Sequence, residues 1–149
     1  MILPQPAYPL RIKHNNSKVQ VFDIVRKKYV AFTPEEWVRQ HVLHYFIIEK
    51  KYPKGLLAVE KTIFVNNQRR RFDVVLFSKR ETQPLLIVEC KAYHAVIDQR
   101  VLNQAGWYNT ELNARYLAVT NWRQWVVAKV DKPSGAFTFL DALPDYRKL

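Results

Sequence analysis

Glycine is scarce in this chain, with three in 149 residues. No Gly-rich phosphate loop exists, and a flexible low-complexity segment is excluded. Cysteine is scarcer, a single Cys90. One cysteine excludes an internal disulfide framework and a cysteine-based zinc site within the chain, and it fits a reducing, cytoplasmic setting. No run of ~18 apolar residues occurs, so no membrane span is expected. The first residues, Met1 to Pro6, lack the charged start and long apolar core of a signal peptide. Acidic residues are few beside basic ones, 13 against 24, which leaves a net charge of +11. That balance favours an anionic partner, chiefly nucleic acid or an anionic membrane surface, although a merely basic soluble protein has the same composition. The basic residues cluster at Arg26-Lys27-Lys28, Lys50-Lys51, Arg69-Arg70-Arg71 and Lys79-Arg80.

What is abundant is apolar: 48% of the residues, enough for a real core in one domain over residues 1–149. Residues 1–10 are Pro-rich and predict an extended arm. Lys18 to Phe32 predicts a β-hairpin, with Arg26-Lys27-Lys28 at the bend. Thr33-Pro34-Glu35-Glu36 is a helix start, with Thr33 as N-cap, Pro34 at the first helical position and Glu36 as capping-box partner. That helix runs to about Lys50 and carries enough apolar residues to be well buried. Pro53 and Gly55 end it.

Strands follow at Leu56 to Val65, Arg71 to Ser78 and Pro84 to about Ala92, then a helix over about Ile97 to Asn113. Tyr116 to Thr120 is a short buried strand. Gln124 to Val130 and Phe137 to Leu140 are two more, around a turn at Asp131 to Gly135. The order predicts a mixed α/β (α+β) domain with a central sheet flanked by helices.

Two of these strands carry charge inside apolar runs. Arg71-Phe72-Asp73-Val74-Val75-Leu76-Phe77 holds Asp73, and Leu85-Leu86-Ile87-Val88-Glu89-Cys90-Lys91 holds Glu89 and Lys91. An ionised carboxylate is costly in such surroundings, so two strands that accept one suggest a site. Alternation places Leu85, Ile87, Glu89 and Lys91 on one face. A hairpin centred on Glu81 sets Ser78 opposite Pro84, Asp73 opposite Glu89 and Arg71 opposite Lys91, and the opposed carboxylates repel. A hard divalent cation would relieve that repulsion, activate water and steady an in-line displacement at phosphorus. A neighbouring lysine can orient the water or stabilise the oxyanion. A strand-end salt bridge between these acids and Arg71 or Lys91 is the competing reading.

These residues resemble the Asp…Glu-X-Lys core of the PD-(D/E)XK nuclease superfamily. The nearest form is the N-terminal nuclease domain of type I restriction enzyme R subunits and its small stand-alone relatives. The resemblance implies a restriction-endonuclease-like fold and a Mg2+- or Mn2+-dependent endonuclease acting on DNA. By it, Asp73, Glu89 and the Cys90 carbonyl bind metal, and Lys91 assists the attacking water. Gln104-Ala105-Gly106-Trp107-Tyr108 fits the family's Gln-X-X-X-Tyr element, which adds Gln104 and Tyr108. Pro34 to Gln40 resembles the family's first helix, whose Glu completes the metal site. Glu36 takes that role, in competition with its capping role, and Glu60 is a second candidate. Tyr116 to Asn121 resembles the strand that closes the core.

The resemblance spans about Ala31 to Asn121, so the expected layout is an arm and hairpin over 1–32, a nuclease-like core over 33–121 and C-terminal strands over 122–149. Three departures stand out. Phe72 replaces the usual Pro before the first Asp. Asn121-Trp122-Arg123 replaces the Gly expected after Thr-Asn. No Walker A motif or helicase motor is present, so a complete type I restriction subunit is not expected, and a motor or specificity partner stays open. Nucleases of this fold often form homodimers.

Arg69, Arg70 and Arg71 are candidates for phosphate contacts, against a solvated turn. Tyr93, Trp107, Trp122 and Trp125 are candidates for base stacking, against core packing. His14, His41, His44 and His94 are scattered, and solvated or core-edge positions are expected for them. Two further functions remain open beside the nuclease: a nucleic-acid-binding module that no longer cleaves, and a structural or assembly protein that pairs through its strands.

Overall fold

A computed structural model describes residues 7–65, 67–80, 83–104 and 114–149. The N-terminal region is a three-stranded antiparallel sheet, β1 (Ile12–Asn15), β2 (Lys18–Asp23) and β3 (Lys28–Ala31), in that order. The expected hairpin is β2–β3. The additional strand β1 is exposed at every position, so no alternation in its sequence marks it as a strand. Lys27 ends the β2–β3 bend in the left-handed region, at φ 56.

Helix α1 spans Pro34–Ile48. The Thr33 hydroxyl accepts from the Glu36 amide at 3.0 Å, as expected of an N-cap. The reciprocal half of the capping box does not form, because the Glu36 carboxylate is engaged elsewhere. Val38, Val42, Leu43 and Phe46 bury the apolar face of α1. Among the described residues no helix is long and apolar enough to cross a membrane.

The main sheet has six strands in sequence order: β4 (Leu57–Val65), β5 (Gln68–Phe77), β6 (Pro84–Cys90), β7 (Tyr116–Thr120), β8 (Trp125–Val130) and β9 (Phe137–Leu140). Strands β6 and β7 are parallel, and the other neighbours are antiparallel. A parallel pair needs a long crossover, and residues 91–115 supply it, with helix at 99–104. The rest of the expected helix, 105–113, lies outside the described residues. One face of the sheet packs Val74, Leu76, Leu86, Val88, Cys90 and Ala118 against α1. The other packs Val75, Ile87, Leu117 and Val119 with Ile97, Val101 and Leu102 from the crossover. The fold is therefore α+β, with a mixed six-stranded sheet, few helices and a separate three-stranded sheet.

The β5–β6 register is the expected one over Val74↔Val88, Val75↔Ile87 and Leu76↔Leu86. It then shifts between Leu76 and Phe77, so Phe77 faces Pro84 instead of Ser78 doing so. The bulge also moves Leu85 out of strict alternation, to the α1 face. The expected Arg71–Lys91 pair does not form, because β6 ends at Cys90 and its pairing with β5 ends at Val74↔Val88. On its other edge β5 pairs Arg71 with Thr62 of β4.

Trp122 stands where a Gly was expected, and it takes a glycine-like conformation at φ 76. For an L-residue that costs about 1–2 kcal/mol. Thr120 Oγ1 accepts the Trp122 amide at 2.9 Å, and the indole packs among Tyr8, His41, Tyr45 and Trp125. His41 is part of this aromatic layer and is buried, with its Nδ1 2.8 Å from the Trp37 carbonyl. Packing therefore outweighs strain at this loop. Trp122→Gly removes the strain but also the indole, and a net loss of about 2–4 kcal/mol is expected in urea denaturation. A gain in stability would reverse that ranking.

Candidate active site

The first turn of α1 carries Glu35 and Glu36, and the next carries Arg39 and Gln40. Helical spacing stacks these four on one side. Arg39 is buried, 4% exposed, on the face that meets the sheet. A buried guanidinium is tolerated only among anions. Arg39 finds four. Nη2 lies 2.5 Å from Asp73 Oδ1, 2.9 Å from Glu60 Oε1 and 3.3 Å from Glu35 Oε1, and Nη1 binds Glu36 Oε2. Burial works against its charge, but Asp73 and Glu36 more than reverse that, so the guanidinium is held firmly cationic.

The strands kink to present these acids. Val59↔Val74 and Lys61↔Phe72 pair regularly, while Glu60 between them turns to φ 53. Across the kink Phe72 packs on the crossover face with Val75, and Val74 packs on the α1 face. Asp73 reaches Arg39 with one oxygen, and its Oδ2 accepts the Cys90 amide at 2.7 Å. That bond ties β5 to β6 where regular pairing stops.

Pairing of β5 with β6 ends at Val74↔Val88, so Asp73 and Glu89, which the sequence sets opposite each other, lie one position beyond the paired residues. The two side chains then part. Asp73 turns to Arg39, and Glu89 Oε1 lies 3.1 Å from Lys91 Nζ. Burial first, and the Asp73 charge second, push Glu89 up to about 7, which Lys91 only partly offsets. Lys91 is raised above its usual value: burial lowers it, and Glu89 more than compensates. The Cys90 thiol is buried beneath α1, and its carbonyl lies in the backbone between Glu89 and Lys91.

Behind the cluster sits a layer that local sequence did not reveal. Asp23 is fully buried at the end of β2. It accepts from the Val25 and Arg26 amides, Arg26 Nε and Gln40 Nε2, at 2.7–2.9 Å. Burial would raise its pKa, but these donors, led by Arg26, lower it instead. Arg26 Nη2 and Gln40 Nε2 then hold Glu36 Oε1, at 3.1 and 2.9 Å. The N-terminal sheet thus fixes Glu36 through Arg26. The legible signal was Glu36 and Arg39 at (i, i+3) on a buried helix face, a charge pair with no solvent to face.

Six carboxylates (Asp23, Glu35, Glu36, Glu60, Asp73, Glu89) face four cations (Arg26, Arg39, Arg71, Lys91) in this network. A chain of net charge +11 therefore has a local excess of acid here. Carboxylates around one cation are the donor class for Mg2+ or Mn2+. Among the described residues, no three His, Cys, Asp or Glu side chains converge as a ready metal site, because Arg39 lies between the acids. The donor chemistry fits a hard divalent ion, and Arg39 supplies the positive charge at the centre of the acids. Gln104 is exposed on the helical segment 99–104, and Tyr108 lies outside the described residues.

The sequence profile described as the type I restriction enzyme R protein N terminus (HSDR_N) matches residues 34–144, about three-quarters of the chain. The chain belongs to this family. No curated protein matches it. Among solved structures, a fragment named as that of an HsdR subunit of a type I restriction enzyme from Vibrio vulnificus YJ016 is similar at 20% identity and TM-score 0.42. The likeness covers 62% of this chain and 20% of the other, so the chain spans about a fifth of that relative. The HSDR_N match opens at Pro34, so Asp23 and Arg26 lie outside it while holding Glu36 inside it. Arg39→Met leaves buried carboxylates without their cation, and a loss of about 3–5 kcal/mol is expected in urea denaturation at neutral pH. A loss under about 1 kcal/mol would mean that the ion pairs do not dock α1 on the sheet.

Proposed function

We propose that this chain is a divalent-metal-dependent endonuclease domain of the PD-(D/E)XK type, hydrolysing phosphodiester bonds in DNA. The observation that carries the reading is Asp73 bound to the Cys90 amide beside Glu89, with Lys91 on Glu89, in a chain of the R-subunit N-terminal family. Asp73, Glu89 and the Cys90 carbonyl would hold Mg2+ or Mn2+, with Glu36 completing the set. When bound, the ion activates water and offsets charge at the reacting phosphate. Lys91 Nζ, fixed by Glu89, orients the attacking water or donates to the oxyanion. Arg39 keeps Asp73 and Glu36 turned to one point before metal arrives. Gln104 and Tyr108 support the site or guide the strand. In the cell the domain would act within a multisubunit restriction assembly.

One observation favours a second reading, a nucleic-acid-binding module that no longer cleaves. Arg39 occupies the centre of the acids and engages both Asp73 and Glu36. Plasmid cleavage with Mg2+ or Mn2+ separates the two. Cutting by the wild type, lost in Asp73→Ala and in Lys91→Ala by at least about a hundredfold, is expected of general acid–base and charge-stabilising groups. DNA binding without cutting under either metal would support the second reading. No affinity for DNA at low salt would leave only an assembly role.

A further inference from the structure

Phe64 is the most exposed aromatic among the described residues, at 72%. Leaving a Phe in water forgoes about 1.5–3 kcal/mol of burial, so fold stability does not explain it. Its direct cross-strand partner is Arg69. Two residues along the same face, Arg71 pairs with Thr62, and its guanidinium lies 3.3 Å from Glu60 Oε2. Glu60 in turn holds Arg39, which holds Asp73. One face of the β4–β5 hairpin therefore runs unbroken from Phe64 through two arginines to the carboxylate cluster. Arg70 is on the other face, opposite Ile63, with Nη2 2.6 Å from Gln68 Oε1. The Arg69-Arg70-Arg71 run is thus split two to one by the strand.

The spacing matches a nucleic-acid strand. Phe64 is four residues from Glu60, about 13 Å at 3.3 Å per residue, or about four stacked nucleotides at 3.4 Å. An exposed aromatic flanked by guanidiniums pairs one π-face with neighbouring anions. A base inside a duplex offers no free face, whereas an unpaired one does. We propose that the β4–β5 hairpin is a clamp for an unpaired DNA strand entering the site. In it Phe64 stacks on a base, and Arg69 and Arg71 hold the flanking phosphates. This rests on the nuclease reading for its purpose, although its binding chemistry stands without cleavage.

The test is fluorescence anisotropy of the full chain with a labelled oligo-dT in EDTA, where no metal-dependent cutting contributes. Phe64→Ala is expected to weaken binding about 5- to 140-fold with the salt slope unchanged. Arg69→Ala and Arg71→Ala are each expected to lower the slope of log K against log salt by about 0.7. Phe64→Trp retains affinity, and an abasic strand of equal length binds the wild type as weakly as oligo-dT binds Phe64→Ala. Wild-type affinity in Phe64→Ala, or no oligo-dT binding by the wild type, overturns the clamp. Plasmid cleavage by a chain whose Phe64→Ala variant binds normally would sink the clamp and keep the nuclease. A Phe64-dependent affinity without any cutting would do the reverse.

Discussion

Everything in this molecule turns on a buried arginine. Arg39 projects from α1 into four acids: Asp73 on β5, Glu60 on β4, and Glu35 and Glu36 one turn back on its own helix. A lone guanidinium at that depth would cost several kcal/mol, and so would the carboxylates without it. Each side makes the other tolerable. The result is a helix pinned to the sheet at the point where β5 kinks and regular β5–β6 pairing ends. Apolar packing by Val38, Val42 and Phe46 supplies bulk affinity. The ion pairs set where along the sheet α1 comes to rest.

Much of this was legible in the chain. The Thr33 cap, the Pro34 start and the apolar runs locate α1 and the strands, because propensity and period are local properties. The β5–β6 register over Val74, Val75 and Leu76 was legible as well, since a short hairpin leaves few registers. The bulge at Phe77 was not, because it needs only one displaced residue. Arg39 appeared as one more residue of a well-buried helix, and its main partner lies 34 positions away. Asp23 and Arg26 were hidden in the same way. They sit at what looked like a basic bend, and only folding brings that bend against Glu36. Trp122 shows the opposite case. The missing glycine was visible, yet the backbone kept the glycine conformation because an aromatic layer held the indole in place.

The proposed function rests on how the charge is distributed. The surface is basic and suits a polyanion. The centre of the site has more acids than cations, and carboxylates are the donors a small hard ion takes. Burial and the Asp73 charge push Glu89 up to about 7, which Lys91 only partly offsets. Arg39 is the resident counter-charge in this arrangement, and a divalent ion entering among Asp73 and Glu36 must share those carboxylates with it.

The most direct measurement is a calorimetric titration of the full chain with Mn2+ in the absence of DNA. Saturable binding by the wild type, abolished in Asp73→Ala while that variant stays folded, is the expected result. Equal binding by both proteins, or none by the wild type, contradicts a metal site at Asp73.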